Sequence, residues 1–266
     1  MLASYLSPLC TELSLPMTAS PQSWLLSMAF LLLSGCSASS RPFDLPARPS
    51  GGVFQTTSQN GTVLFETPAE LMGAQVVAEA IDRYYDKAAA ALGCRRNEPV
   101  DVWLIPGWRS LGSTNQDRII FDSSPRSLSY ADLTLVHEFV HWHSEGSVLE
   151  ENLPHSMIEG ICEYIAISLV ERGRAFRLNL YSELLEEAWA RGDALALSAR
   201  LSIDKAEWLS LDRTTRYELY ALSYTIVARI GLDRVCEEAR IGPLSVDDML
   251  RLACPGEDGV ESLFKS

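Results

Sequence analysis

The sequence predicts an α+β fold: a small mixed sheet with one long helix, then a mainly helical C-terminal half. Three observations carry this expectation. Strand-like runs are confined to residues 53–122, an amphipathic helical pattern interrupts them at 68–92, and helical periodicity fills almost everything after 129. Strands first and helices after is the pattern of an α+β domain. With 266 residues, 47% apolar and 21% charged, the chain is long enough and apolar enough to bury a core. A net charge of −13 leaves no basic stripe to neutralise phosphates, so no nucleic-acid partner is expected.

Residues 1–35 read as a signal segment outside the fold. Positions 24–33 form an apolar run too short to span a bilayer but of signal-peptide length, and it ends in Leu33-Ser34-Gly35-Cys36. Those four residues resemble the lipobox of bacterial lipoproteins. The resemblance implies that Cys36 is lipidated and begins the mature chain. Ser37, where an Asp would favour the inner membrane, then implies the outer membrane, facing the periplasm. Residues 1–23 contain no Lys or Arg, unlike an ordinary signal, and a start at Met17 restores no charge. Residues 36–52, rich in Ser, Pro and Gly, read as a tether, and residues 53–266 as the folded domain.

Within the domain, VFQTT and TVLFE flank Asn60-Gly61 and read as a hairpin over 53–66. Pro68 opens the long helix, whose Leu71, Val76, Val77, Ile81, Tyr84 and Ala88 recur at three- and four-residue spacing, and Gly93 ends it. PVDVWLI at 99–105 is a strand stopped by Pro106-Gly107, and RIIFD at 118–122 is another. Ser129 with Asp132 looks like a capping box that starts a helix containing HEFVH. Further helices are expected near 156–172, 176–191, 204–210, 214–230, 232–240 and 245–253.

HEFVH spans His137 to His141. Residues four apart on a helix stand one turn above each other, so both imidazoles can reach one ion. Glu138 lies about 100° around the helix, near a metal-bound water without ligating the metal. Catalytic zinc needs three protein ligands and an open fourth position. Glu159, in IEGICEY after Pro154, is placed to return as the third; His155 is the alternative. Glu163, four residues beyond Glu159, can accept a hydrogen bond from the far nitrogen of a ligating imidazole. All 4 histidines of the chain fall between 137 and 155. His143 faces away from the pair, as a solvated or supporting residue, and Glu145, Glu150 and Glu151 read as acidic surface. Cys94, Cys162, Cys236 and Cys254 lack CxxC spacing. They read as small buried side chains or, for Cys236 with Cys254, as a bridge.

HEFVH followed 18 positions later by Glu159-Gly160-Ile161-Cys162-Glu163-Tyr164 resembles the gluzincin peptidases, particularly bacterial peptidase MA-like domains, whose second motif is approximately E-G-x-A-E-Y. Cys162 departs from the usual Ala. Ser147 excludes the metzincin pattern, which demands a His there. The resemblance implies a thermolysin-like active-site helix, Zn2+ held by His137, His141 and Glu159, and Glu163 as the support of a ligating His. Tyr220-Ala221-Leu222-Ser223-Tyr224 matches the stretch where a Tyr returns to the active site. That implies a catalytic role for Tyr220, although Tyr217, Tyr220 and Tyr224 also fit simple packing at helical spacing.

The expected activity is zinc-assisted hydrolysis of peptide bonds, with Glu138 as proton acceptor and donor and Tyr220 donating to the oxyanion. A peptide or protein substrate would lie along 118–122 if that strand is a sheet edge. Two other readings are a zinc-stabilised, non-catalytic binding module at the envelope and a hydrolase of cell-wall amides. The first predicts that Glu138 is dispensable, the second that muropeptides outperform peptides.

Overall fold

A computed structural model of the chain describes residues 53–108, 110–115, 117–256 and 259–264. The signal segment, Cys36 and the tether lie outside the described residues. The architecture is α+β, as the sequence predicts. Strands β1 (Phe54–Thr57), β2 (Gly61–Phe65), β3 (Val100–Leu104), β4 (Gly112–Asn115) and β5 (Arg118–Phe121) form one mixed sheet in the order β1-β2-β3-β5-β4. The outer pairs are antiparallel and the inner pairs parallel. The expected hairpin forms, but Gly61 is not in its turn: it opens β2 and pairs with Val100.

Two expectations about the sheet are corrected. Residues 118–122 are not an edge, because β5 is enclosed between β3 and β4. The edge on that side is β4, whose sequence GSTN is half-buried throughout and lacks an apolar alternation that would mark it as a strand.

Helix α1 (Leu71–Leu92) follows a tight 3₁₀ turn at Pro68–Glu70, where Thr67 and Glu70 form the capping box. It buries Val77, Ile81, Tyr84, Ala88 and Leu92, whereas Leu71 and Val76, apolar and in phase, remain exposed. A short helix α2 (Pro125–Leu128) then precedes α3 (Ala131–Ser144), which carries HEFVH. The Ser129–Asp132 cap does not form: Ser129 Oγ donates to the Arg126 carbonyl, and Tyr130 precedes α3 without a side-chain cap bond. The chain is already helical here, so the cap sits one turn upstream. Ser124 Oγ accepts from the Ser127 N–H, and Asp122 gathers the hydroxyls of Ser124 and Ser127.

The remaining helices are α4 (Val148–Asn152), α5 (His155–Leu169), α6 (Arg174–Ala190), α7 (Ala194–Ala199), α8 (Lys205–Ser210), α9 (Arg213–Ile230), α10 (Leu232–Ile241) and α11 (Val246–Ala253). Helix α3 is the centre of the fold, packed against α1 and α5, with α9 against α5. Twelve of its fourteen residues are buried, Phe139 and Trp142 almost completely. An uncompensated buried polar group costs about 2–7 kcal/mol, and His137, Glu138 and His143 each have a polar partner. No helix of the described residues is long and apolar enough to cross a membrane.

Candidate metal centre

The one-turn spacing of His137 and His141 on α3 points both Nε2 atoms the same way, 3.2 Å apart. Helix α5 brings Glu159 against them, with Oε2 lying 3.2 Å from His137 Nε2 and 3.2 Å from His141 Nε2. The three atoms make an equal-sided triangle. Tetrahedral coordination with bonds of about 2.0–2.1 Å separates any two ligand atoms by about 3.3 Å, so the triangle fits one zinc ion.

Glu163, one turn beyond Glu159, stands behind His137. Its Oε1 is 3.0 Å from His137 Nδ1, bent away from ideal alignment. Tyr181 of α6 donates to Glu163 Oε2 at 2.6 Å, and Arg177 Nε lies 3.8 Å from the same oxygen. Burial opposes ionisation of Glu163, but Arg177, His137 and Tyr181 outweigh it and hold its pKa down to about 2. The anion facing Nδ1 favours a proton there, which turns the Nε2 lone pair toward the triangle. Burial also opposes a charge on His137, yet hydrogen bonds and charge from Glu159 and Glu163 push its pKa up to about 10. Glu159 itself is held well below the usual carboxylate range: burial raises it, and His141, His137 and His155 overcome that. Such a cluster of buried anions calls for a cation, either a proton or a metal.

His155 is not in the triangle. Its Nε2 lies 3.1 Å from Glu159 Oε1, so it grips the oxygen that His137 and His141 leave alone. Its ring also packs edge-on against Trp208 of α8, and Trp208 against Tyr220. Tyr220 in turn meets His137 edge-on, with ring centroids 5.9 Å apart. Gly160 makes that approach possible. A Cβ there would stand 2.6 Å from the Ser223 carbonyl oxygen, so only a glycine lets α9 lie this close to α5. Burial, then the charge of Glu159, raises the Tyr220 pKa well above that of a free phenol, so its hydroxyl remains a donor. Tyr217 lines the same wall, while Tyr224 packs on Tyr164 and Tyr181.

Cys162 comes closer than its sequence context suggests. It is fully buried, and its thiol joins His137 and His141 in a second cluster whose ligand atoms lie within 4.8 Å of one another. Burial and the surrounding carboxylates Glu159, Glu138 and Glu163 keep that thiol protonated. The triangle through Glu159 is the tighter fit to a single ion.

Glu138 is buried at the wall of a cleft of about 440 Å³ that also exposes His137, His141, Glu159 and Tyr220. Its Oε2 accepts a 2.6 Å hydrogen bond from Thr114 Oγ1, on the edge strand. Thr114, Tyr181, Arg177 and Trp208 carried no signal in the sequence, because each acts through a contact between distant elements.

Two expectations around the centre are corrected. His143 does point away from the pair, but into the core rather than solvent: Nδ1 accepts from the Arg96 N–H and Nε2 donates to the Tyr85 carbonyl. Glu150 and Glu151 are exposed, but Glu145 is half-buried and paired with Arg96 at 3.1 Å. Of the two readings of the cysteines the unbridged one holds: Cys236 and Cys254 are free thiols; Cys254 accepts from Ser262 Oγ, and the neighbours of Cys236 include Cys94 and Arg240. No protein-family model matches the chain, and no curated protein matches it.

Proposed function

We propose that the chain hydrolyses peptide bonds with a zinc ion held by His137, His141 and Glu159. The observation that carries this reading is the 3.2 Å triangle of those three residues. Beside it lies a buried carboxylate, Glu138, that belongs to the cleft wall and not to the triangle. Zinc bound there supplies Lewis acidity, making water more acidic and polarising a carbonyl.

Glu138 takes the attacking water's proton and passes it to the leaving amine. Tyr220, a protonated phenol against His137, donates to the developing oxyanion. Glu163 and His155 hold His137 and Glu159 in orientation. Strand β4 ends the sheet and lines the cleft, so its outer backbone groups can pair with an extended peptide laid beside Glu138. This replaces 118–122 as the docking strand. On the same reading the domain is exported and tethered to the envelope through lipidated Cys36.

Elemental analysis of the purified chain, followed by assay on a broad peptide pool with and without chelator, tests the reading. About one zinc per chain, as the three-ligand site implies, and chelator-sensitive cleavage are expected. A zinc-loaded chain inert toward every peptide would contradict it. Glu159→Gln should lose most of the zinc; if it keeps the metal while His155→Ala loses it, the third ligand is His155.

A further inference from the structure

Strand β4 packs against the Glu138 carboxylate. Successive residues of a strand face opposite sides, so Gly112 and Thr114 share the face toward α3. The pairing of Gly112 with Phe121 and Thr114 with Ile119 fixes that register, since Ile119 and Phe121 are fully buried. Thr114 Oγ1 lies 2.6 Å from Glu138 Oε2 and 3.1 Å from the backbone oxygen of the same residue. A hydroxyl has one proton, and the shorter contact falls in the range of a charge-assisted O–H···O⁻ bond. Gly112 stands on the side of the other oxygen. A Cβ at that position would stand 2.8 Å from Glu138 Oε1, 2.8 Å from its Cγ and 2.9 Å from Thr134 Cγ2.

We propose that Thr114 is a positioning residue for Glu138, with Gly112 as the bare backbone that makes room for the carboxylate. The inference rests on the reading of Glu138 as the proton-transfer group. Thr114 ties down Oε2 by its hydroxyl, which leaves Oε1, on the Gly112 side, as the oxygen that takes the proton. The edge strand then does two things: it offers backbone to an extended substrate and sets the direction of the base. Glu138 has three rotatable bonds before its carboxylate, and proton transfer requires one oxygen within about 3 Å of the water it deprotonates. A base held in one orientation avoids that search on every turnover.

The test compares the zinc-loaded chain with Thr114→Val, which keeps shape and loses the hydroxyl, Thr114→Ser, which keeps the hydroxyl, and Gly112→Ala. Thr114→Val should retain wild-type zinc and KM while kcat falls about ten- to a hundredfold, the worth of one hydrogen bond to a charged group. Thr114→Ser should recover most of that loss. Gly112→Ala should lower kcat with Thr114 intact, because it displaces the same carboxylate from the other side. A second readout is independent of turnover. Thr114→Val should lower the melting temperature by a few degrees when Glu138 is present, and by clearly less in a Glu138→Ala background. Wild-type kcat in Thr114→Val, or an equal thermal penalty in both backgrounds, overturns the inference and leaves the peptidase reading intact. An inert wild type that holds zinc removes the peptidase reading, and the positioning role with it.

Discussion

His137 and His143 lie less than two turns apart on α3, both buried, and their surroundings drive them in opposite directions. His137 faces Glu159 and Glu163, which outweigh its burial and push its pKa up to about 10. His143 faces the Tyr85 carbonyl, the Arg96 N–H and the edge of the Tyr85 ring, and burial pushes its pKa down to about 4. Around His143, Trp142 Nε1 donates to the Tyr85 hydroxyl, which donates to the Glu98 carbonyl, while the Arg96 guanidinium lies 4.0 Å over the Trp142 ring. That side of α3 knits the end of α1 to the core with neutral hydrogen bonds. The other side gathers carboxylates, whose charge a proton or a cation can balance. Burial alone does not set the charge of a histidine; the charge of what it is buried against decides.

Truncating each histidine in turn should give the largest difference between the two sides of α3. His137→Ala should abolish zinc binding as read by elemental analysis. His143→Ala should keep the zinc and instead lose about 2–4 kcal/mol of unfolding free energy, since two backbone groups lose their partners. Zinc loss in His143→Ala without unfolding would erase the distinction between the two sides.

The pH dependence of unfolding separates them next. The folded pKa of His143 lies below its unfolded value, so the unfolded chain binds the proton first. Stability should fall as pH drops from about 6.5 to about 4, by up to about 3 kcal/mol. His137 behaves in the opposite sense. In the metal-free chain its contribution is complete below about 6.5 and is lost as pH rises through about 10. Glu163, held at about 2, adds its own acid loss only below about 4.5. Denaturant titrations should show the upper acid loss vanish in His143→Gln and the alkaline loss vanish on zinc loading. An alkaline limb unchanged by zinc would mean that the ion does not replace the His137 proton.

How far these features were legible in the sequence follows from their geometry. HEFVH and the Glu159/Glu163 pair are local spacings on helices, so their faces could be read before any packing was known. The Ser-rich turn before α3 misled because helical structure already begins at Pro125, which moves the cap to Ser124. His143 misled for another reason: a polar residue on the far face suggests solvent, but α1 covers that face. Strand β4 was illegible because GSTN has loop composition, and its pairing with β5 is a long-range fact. The enclosure of β5, and with it the true docking edge, was hidden for the same reason.

Two smaller effects sharpen the assignment on the His137 side. Tyr220→Phe should retain zinc and lower kcat by about a hundredfold, the worth of one oxyanion donor; unchanged kcat would return Tyr220 to packing. Cys162→Ala should leave zinc stoichiometry unchanged, since the triangle through Glu159 closes without the thiol. Loss of zinc in that variant would show that the His137–His141–Cys162 cluster holds the ion.

Hydrolysis at this centre, beyond the binding of a metal, stands or falls with Glu138→Gln. The substitution preserves size and leaves an oxygen for Thr114 to hold, but removes the proton acceptor. At unchanged zinc content, kcat/KM on peptide should fall about a hundred- to ten-thousandfold. Equal kcat/KM in the zinc-loaded wild type and Glu138→Gln would contradict the mechanism.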